Sequence, residues 1–496
     1  METGGRDADE LSVAGELQRR PHILLQLAEN SLVVAQNLRD NYFHNTARFI
    51  GRLRATLRES AASDPIMRVT SVADACWDAF QNEVVTFIDG GFGRIEIASQ
   101  APILLRVGSY TVRTGERLIA AREQFGYYPV ILGDLAGGSK GRDDFPDIVR
   151  ITAELLGGLV ALERTPDLRV LVFHGPLVYA SGPYAGHTPF TEHDIDLFLR
   201  HYAPQTDLGE QLKAEFLREA SIDIYPEMTA RAGEWSRRRL FEPLAFIAYL
   251  YRRMIRTART RTPVPVIMGV VERGGHLREF SETILLKRIF RRLRERDEGD
   301  YFNRRFGRTD LTSPKALLER LGYTDTLLLA MLLNPAEFSE PWEMSKHNDL
   351  KVEDVTLPGE AAPSRVNFAP LRSGRIGLPR VLGTYLQISE TVEPIRVEVF
   401  KELGERQVAE AVRRAYLYAR LLPGYGFPVG LDIADKYARV PTWMMHAYSK
   451  TIRYHLGVSL QQGDIGDAEM RRLIVQALYV KGRDWLFRPP TQGSPS

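Results

Sequence analysis

The feature that most constrains this chain is a change of period at Val84. Upstream, apolar positions recur at helical spacing. Leu24, Leu25, Leu27, Leu32, Val33 and Val34 lead on to Phe43, Phe49, Ile50, Leu53 and Leu57 with charged residues between them, so residues 11–60 read as helix. A second helical stretch is expected over residues 72–80. Then Val84-Val85-Thr86-Phe87-Ile88 forms a short, mostly β-branched apolar run that stops at Asp89-Gly90-Gly91, which reads as a strand closed by a tight turn. Residues 95–97, 103–112 and 127–132 are further strand candidates, and together they predict an antiparallel meander.

Downstream the two periods mix. Ile148, Ile151, Leu155, Leu159 and Leu162 place one apolar face on a helix over 145–164, which Pro166-Asp167 breaks. Residues 170–173 read as a buried strand ended by His174-Gly175-Pro176. Residues 192–261 read as a helical insertion, 264–271 as a strand, 280–296 as a helix and 311–333 as two short helices. Pro, Gly and Ser predict long loops over 334–380. Strands follow at 383–388 and 395–400, a helix at 403–422, and a helical region from 432 onward. The pattern predicts a mixed α/β fold around one sheet. Its organisation is a helical segment over 1–80, a core over 81–445 interrupted around 192–261, and a helix with a tail over 446–496.

Composition narrows the class. With 496 residues the chain exceeds one simple core, and 44% apolar with 26% charged residues is ordinary for a soluble protein. Cys76 is the only cysteine, which excludes an intramolecular disulfide and a thiolate zinc cluster and fits a cytoplasmic location. No uninterrupted apolar run reaches the roughly 18 residues of a membrane span. Met1 to Glu10 lacks the hydrophobic core of a secretory signal, and both this segment and residues 489–496 are expected to fray. The net charge of +2 does not by itself announce a polyanion partner, but the distribution of arginine is uneven. Arg237 to Arg239, then Arg252, Arg253, Arg256, Arg259 and Arg261, then Lys287, Arg288, Arg291, Arg292, Arg294 and Arg296 form three clusters. Each is either a solvated helix face or a phosphate-binding stripe, and the guanidinium fork suits the latter.

Three carboxylates stand out. Asp89 closes a buried strand before two glycines, which lets a substrate backbone approach; alone, Asp before Gly is a common turn signal. Glu154 flanks the apolar stripe of its helix, where a glutamate is usually just solvated. Asp435 follows Gly426-Phe427-Pro428-Val429-Gly430-Leu431-Asp432 and is expected in the first turn of a helix, where it would also complement the helix dipole. Gathered in one site they would repel by on the order of 4 kcal/mol per pair at 4 Å. Such a cluster requires protonation or a cation, and all-oxygen ligands suit Mg²⁺ or Mn²⁺. Gly133 to Gly141 superficially resembles a phosphate loop, but Ser139 precedes Lys140 and no Ser or Thr follows it, which excludes an ATPase reading.

These segments, in their order, resemble the NurA family of DNA-end-processing nucleases. Phe87-Ile88-Asp89-Gly90-Gly91 is similar to the family's first motif, Arg150 to Glu154 to the helix carrying its glutamate, and Val170 to Leu177 to the strand that usually ends in Asp-Gly-Ser-Leu. Gly269 to Arg273, Thr324 to Leu328 with Glu337-Phe338-Ser339, Ile395 to Glu398, and Gly426 to Asp435 are similar to later blocks. The resemblance spans roughly residues 84–445. It implies an RNase H-like core and Mn²⁺-dependent (or Mg²⁺-dependent) exonuclease and endonuclease activity. It also implies a homodimer and a HerA-like hexameric ATPase that feeds DNA to the nuclease in end resection or phage defence. The implied metal and catalytic residues are Asp89, Glu154, His174 and Asp435, with Arg273, Arg291, Arg292 and Arg396 on DNA. Asp435 stands where many members have histidine, and two further positions depart from the pattern. His174 replaces the second aspartate, and neutral imidazole can also ligate Mn²⁺. Glu272 replaces a lysine, beside Arg273. These departures leave open a catalytically degenerate subunit that binds DNA or the ATPase without cutting, and an RNA-directed nuclease of the same core is a third reading. Phe92, Tyr127 and Trp342 are candidates to stack on bases, or else ordinary core residues.

Overall fold

The computed structural model describes residues 21–58, 65–95, 103–132, 139–178, 190–202, 208–221, 223–224, 240–241, 243–272, 277–295, 313–344, 349–351, 375–463 and 465–479. The chain divides into two compact units, one of residues 1–66, 293–311 and 459–496 and one of 67–292 and 312–458. In the first, α1 (Pro21–Asn37) runs through a π-helical turn (Leu38–Phe43) into α2 (His44–Arg58), as the helical spacing predicts.

The second unit holds a ten-stranded sheet. Its first strands are β1 (Val69–Ser71), β2 (Val84–Arg94), β3 (Ile103–Arg113) and β4 (Glu123–Leu132). After α3 (Ser139–Arg164) come β5 (Leu168–His174) and a small separate sheet of β6 (Phe190–Thr191), β7 (Asp223–Ile224) and β8 (Leu240–Phe241). That small sheet accompanies α4 (Glu192–Tyr202), α5 (Leu208–Glu219) and α6 (Pro243–Arg259). The large sheet resumes with β9 (Val266–Val271). Then follow α7 (Lys287–Glu295), α8 (Pro314–Leu321), α9 (Asp325–Leu332), β10 (Glu337–Ser339), β11 (Trp342–Glu343), β12 (Asp349–Lys351) and β13 (Arg375–Gly377). The chain continues with β14 (Val381–Leu386), β15 (Ile395–Phe400), α10 (Arg406–Arg420), α11 (Val429–Ala438), α12 (Thr442–Gln461) and α13 (Ala468–Tyr479).

The large sheet runs β1-β10-β14-β15-β9-β5-β2-β3-β4, with β11 on β14. β2, β3 and β4 form the expected antiparallel meander, while β5 and β9 run parallel to β2. α3 and α6 are the crossovers into β5 and β9. This mixed α/β order, with three antiparallel strands followed by two parallel to the first, is the RNase H-like arrangement. β5 and β9 are sandwiched between helical layers and are therefore near-continuous apolar runs, with every residue of β9 buried. On one face α3 seats Ile148, Ile151, Leu155, Leu159 and Leu162; on the other, Val408, Ala411, Val412 and Ala415 of α10 join a core with Phe87, Val172 and Val397.

Several local expectations change. Residues 72–80 are turns with one 3₁₀ turn at Trp77–Phe80 rather than a helix. Asp89-Gly90-Gly91 is not a turn: β2 continues through it to Arg94, paired with β3 throughout. Glycine here serves close packing instead of chain reversal. The last helix of the 192–261 stretch, α6, belongs to the core as a crossover. Residues 334–380 contain four short strands, and their centre, 352–374, lies outside the described residues, as do 133–138 of the rejected phosphate loop.

α11 crosses the β2–β3 hairpin at van der Waals contact of main chains. A Cβ on Gly91 would lie 2.5 Å from the carbonyl oxygen of Ala438, and one on Gly108 would collide with that of Ala434. Backbone cannot yield as a flexible side chain would. Gly108→Ala should therefore lose about 1–3 kcal/mol in urea denaturation. Gly457→Ala, in α12 with open space around it, should instead gain up to about 1 kcal/mol from helix propensity. A Gly108→Ala protein that unfolds at the wild-type urea concentration would show that α11 is not seated this way.

Candidate metal centre

β2 outruns its neighbour. It pairs with β5 only as far as Ile88 opposite Phe173, so Asp89 stands where the sheet loses a strand on one side. His174 is the last residue of β5. The two side chains meet there, with His174 Nδ1 3.0 Å from Asp89 Oδ2. The other Asp89 oxygen accepts from the main-chain N–H of Gly90 at 2.8 Å. His174 is backed by the Phe427 ring, with centroids 5.3 Å apart. This is the rim at the carboxyl ends of the parallel strands, where α/β sheets place their ligands.

Glu154 reaches the same rim from α3. Gly90 leaves the room, since any Cβ there would lie 2.6 Å from Glu154 Oε1. Glu154 is 4% exposed and accepts from Arg150 Nη1 at 2.6 Å. Burial pushes its pKa up to about 7; Arg150 opposes the rise and the charge of Asp89 adds to it. Asp435 approaches on α11, whose close seat at Gly91 and Gly108 brings it over the hairpin. The helix begins at Val429, so Asp435 lies in its second turn, not its first. Asp435 Oδ2 pairs with Arg439 Nη2 at 2.6 Å. Burial works against a charge on His174, but its bond to Asp89 and the charges of Asp89, Glu154 and Asp435 outweigh it and raise its pKa.

The structure thus brings all four residues into one electrostatic neighbourhood. It does not bring them to metal-ligand spacing: among the described residues, no three His, Cys, Asp or Glu side chains form such a group. Each carboxylate instead has a cationic or imidazole partner of the protein's own. The donor set of three carboxylates and one imidazole suits a divalent cation of the Mg²⁺–Mn²⁺ class, and two guanidinium groups stand in as the compensating charges.

Residues 279–440 match the NurA domain. Among solved structures, the chain is similar to the NurA nuclease from Sulfolobus solfataricus at 13% identity and a TM-score of 0.44, over 88% of this chain and 98% of that one. It is also similar to a NurA crystallised with manganese at 10% identity and a TM-score of 0.33, over 84% and 94%. A NurA bound to dAMP and manganese gives 11% and 0.31, over 86% and 94%. No curated protein matches the chain in sequence. The NurA domain match includes Asp435 and lies wholly downstream of Asp89, Glu154 and His174.

Within the matched segment, Thr324-Asp325 has a structural role. The buried carboxylate of Asp325 accepts from the N–H groups of Phe280 and Ser281 at 3.0 and 2.8 Å, capping the π-helical turn before α7. Arg396, expected on DNA, is instead enclosed in β15 at 3% exposure, with its Nε 2.7 Å from Glu398 Oε1. Glu398 also accepts from the N–H of Leu177 at 2.7 Å, which ties the loop after β5 to the sheet. Trp342 is likewise enclosed, stacked on Tyr385. Arg291 is exposed and Arg292 half-buried on α7, each with interactions inside the protein, and Arg273 lies outside the described residues. In the second arginine cluster, Arg253 and Arg256 pair with Glu215, Arg259 bonds the Glu402 carbonyl, and Arg261 bonds that of Thr165. That cluster joins elements of the fold. Arg237 to Arg239 lie outside the described residues.

The sequence reading missed Arg150 and Arg439. Their signal was present as the i,i+4 spacing to Glu154 and Asp435 on their helices.

Removing one member of the Arg396–Glu398 pair leaves a buried charge alone, so Glu398→Gln and Arg396→Met should each lose about 3–5 kcal/mol. The double variant Arg396→Met/Glu398→Leu should recover most of the loss, and a chemical-denaturation cycle measures it. Single variants as stable as wild type would remove the buried-pair account.

Proposed function

We propose that this chain is a divalent-metal-dependent nuclease acting on DNA, with Asp89, Glu154 and Asp435 as oxygen ligands and His174 as a nitrogen ligand or the orienting partner of Asp89. The observation that carries the reading is the meeting of these residues, from β2, α3, α11 and β5, at the rim where β2 outruns β5. Three elements distant in sequence deliver carboxylates, and a fourth an imidazole, to one partly buried place, an arrangement that opposes folding unless positive charge compensates it. The NurA domain supports the choice of reaction.

A divalent cation there would activate water and stabilise the leaving oxygen of a phosphodiester. The chain's own residues do the rest. β2 and β5 hold Asp89 and His174 on a rigid frame, and Gly90 leaves the space in which Glu154 stands beside them. Phe427 closes one side of His174 against water.

The proposed partners are DNA, a HerA-like hexameric ATPase, and a second copy of the chain. Supporting the last, α1 exposes Leu25 at 66% and Leu32 at 60%, and α13 exposes Leu473 at 64%; apolar helix surfaces of this kind mark association sites. A role in DNA end processing or phage defence follows from such partners. The proposed location is the cytoplasm. No helix among the described residues is long and apolar enough to cross a membrane.

The second reading, a subunit that binds without cutting, is favoured by the imidazole at 174, by Glu272 just past β9, and by carboxylates already paired with the protein's own cations. Mn²⁺ titration with end-labelled DNA, with and without the ATPase, separates the two, and matched RNA tests the third reading. On the nuclease reading, Asp89→Ala lowers Mn²⁺-dependent cleavage on the order of 10³-fold while melting and oligomeric state stay unchanged. Cleavage by the variant at the wild-type rate would reject the site.

A further inference from the structure

Two residues at the rim enter the reading above only as counter-charges. Arg150 and Arg439 each lie one helical turn from a proposed ligand, and each places a guanidinium on the carboxylate a metal would need. Arg150 Nη1 is 2.6 Å from Glu154 Oε1, and Arg439 Nη2 is 2.6 Å from Asp435 Oδ2. A carboxylate held at hydrogen-bond distance by a guanidinium does not present that oxygen to a metal. This accounts for four coupled groups that fail to converge at ligand spacing.

We infer that Arg150 and Arg439 occupy the carboxylates of Glu154 and Asp435 while no metal is bound, yield them to an incoming divalent cation, and then bind phosphates of the DNA strand. The inference rests on the metal-site reading of the rim.

The surroundings let both guanidinium groups move while the ligand frame stays fixed. Arg150 already has a second acceptor, Asp147 Oδ1 at 3.3 Å, on the more exposed side of α3. Gly90 presents no Cβ to crowd Glu154 Oε1. The Arg439 side chain is 72% exposed, but its main chain is anchored: its N–H donates to the Asp435 carbonyl at 2.9 Å, and its carbonyl accepts from Arg106 Nη1 at 3.2 Å. Arginine stays charged at every relevant pH and cannot ligate a metal, so displacement by the cation leaves its fork of donors aimed at the nearest anion. In a nuclease that anion is a phosphate.

Calorimetric titration of Mn²⁺ alone into the metal-free full-length chain tests the first half. Arg150→Gln should bind Mn²⁺ about 10-fold more tightly than wild type, since it removes a buried charge-assisted competitor. Arg439→Gln, at an exposed pair, should gain about 2-fold. Lys436→Gln is the control: it removes a positive charge from α11 and frees only Asp432, which is no proposed ligand, and should gain nothing. Absence of any gain in both test variants, or an equal gain in the control, overturns the inference. If Arg150→Gln does not melt cooperatively, Arg439→Gln carries the test on the surface. Asp89→Asn binding Mn²⁺ as wild type does would instead overturn the site reading beneath it. For the second half, DNA binding in Ca²⁺ should lose about 1 unit of log–log salt slope for each arginine removed. An unchanged slope in the double variant overturns the phosphate role.

Discussion

The contact between α11 and the β2–β3 hairpin governs the rest of this structure. Gly91 and Gly108 remove the Cβ atoms that would hold the helix away, so the carbonyls of Ala434 and Ala438 rest on the strands. Without that approach Asp435 would stand off from Asp89 and His174. On the other helical layer, Gly90 does the same for Glu154. Glycines on the two paired strands therefore set the distance of both helices from the rim, and a metal site needs its ligands placed to a fraction of an ångström.

Charge balance then decides what the site is before a ligand arrives. Buried carboxylates such as Glu154 at 4% and Asp89 at 6% exposure are strongly penalised when isolated, and the chain answers with Arg150 and His174, and with Arg439 on the more exposed Asp435. The rim is thus neither an empty acidic cup nor a conventional ion-pair network. Contrast Arg396–Glu398, where both partners are sealed in the sheet and the pair fixes the loop after β5. At the rim, Arg439 faces solvent and Arg150 has an alternative acceptor, so the pairs can open.

Much of this was legible in the sequence. The runs at β2, β5, β9 and β15 and the stripe on α3 gave the sheet and its flanking helix, because burial on both faces writes itself as apolar runs and one-sided burial as a helical period. Asp89-Gly90-Gly91 misled as a turn, because glycine signals equally a chain reversal and a close approach, and only tertiary packing separates them. Residues 72–80 misled because Val72, Ala75 and Phe80 share a helical spacing but fill the core from turns. The arginine clusters misled because composition does not record partners: Glu163, Glu215 and Glu219, remote in sequence, absorb much of the second one. Arg396 looked like a DNA contact until the sheet enclosed it. The meeting of Asp89, Glu154, His174 and Asp435 was reachable only through their order along the chain, since no local pattern links residues up to 346 positions apart.

The central claim is that these four residues form one divalent-cation site. Anomalous diffraction at the manganese edge from crystals soaked in Mn²⁺ tests it most directly. The account predicts a manganese peak at about 2.0–2.3 Å from carboxylate oxygens of Asp89, Glu154 and Asp435, a typical range for small divalent cations on oxygen, with Arg150 and Arg439 turned away. Manganese bound elsewhere, or the rim unchanged with both arginine pairs intact at saturating Mn²⁺, would contradict it.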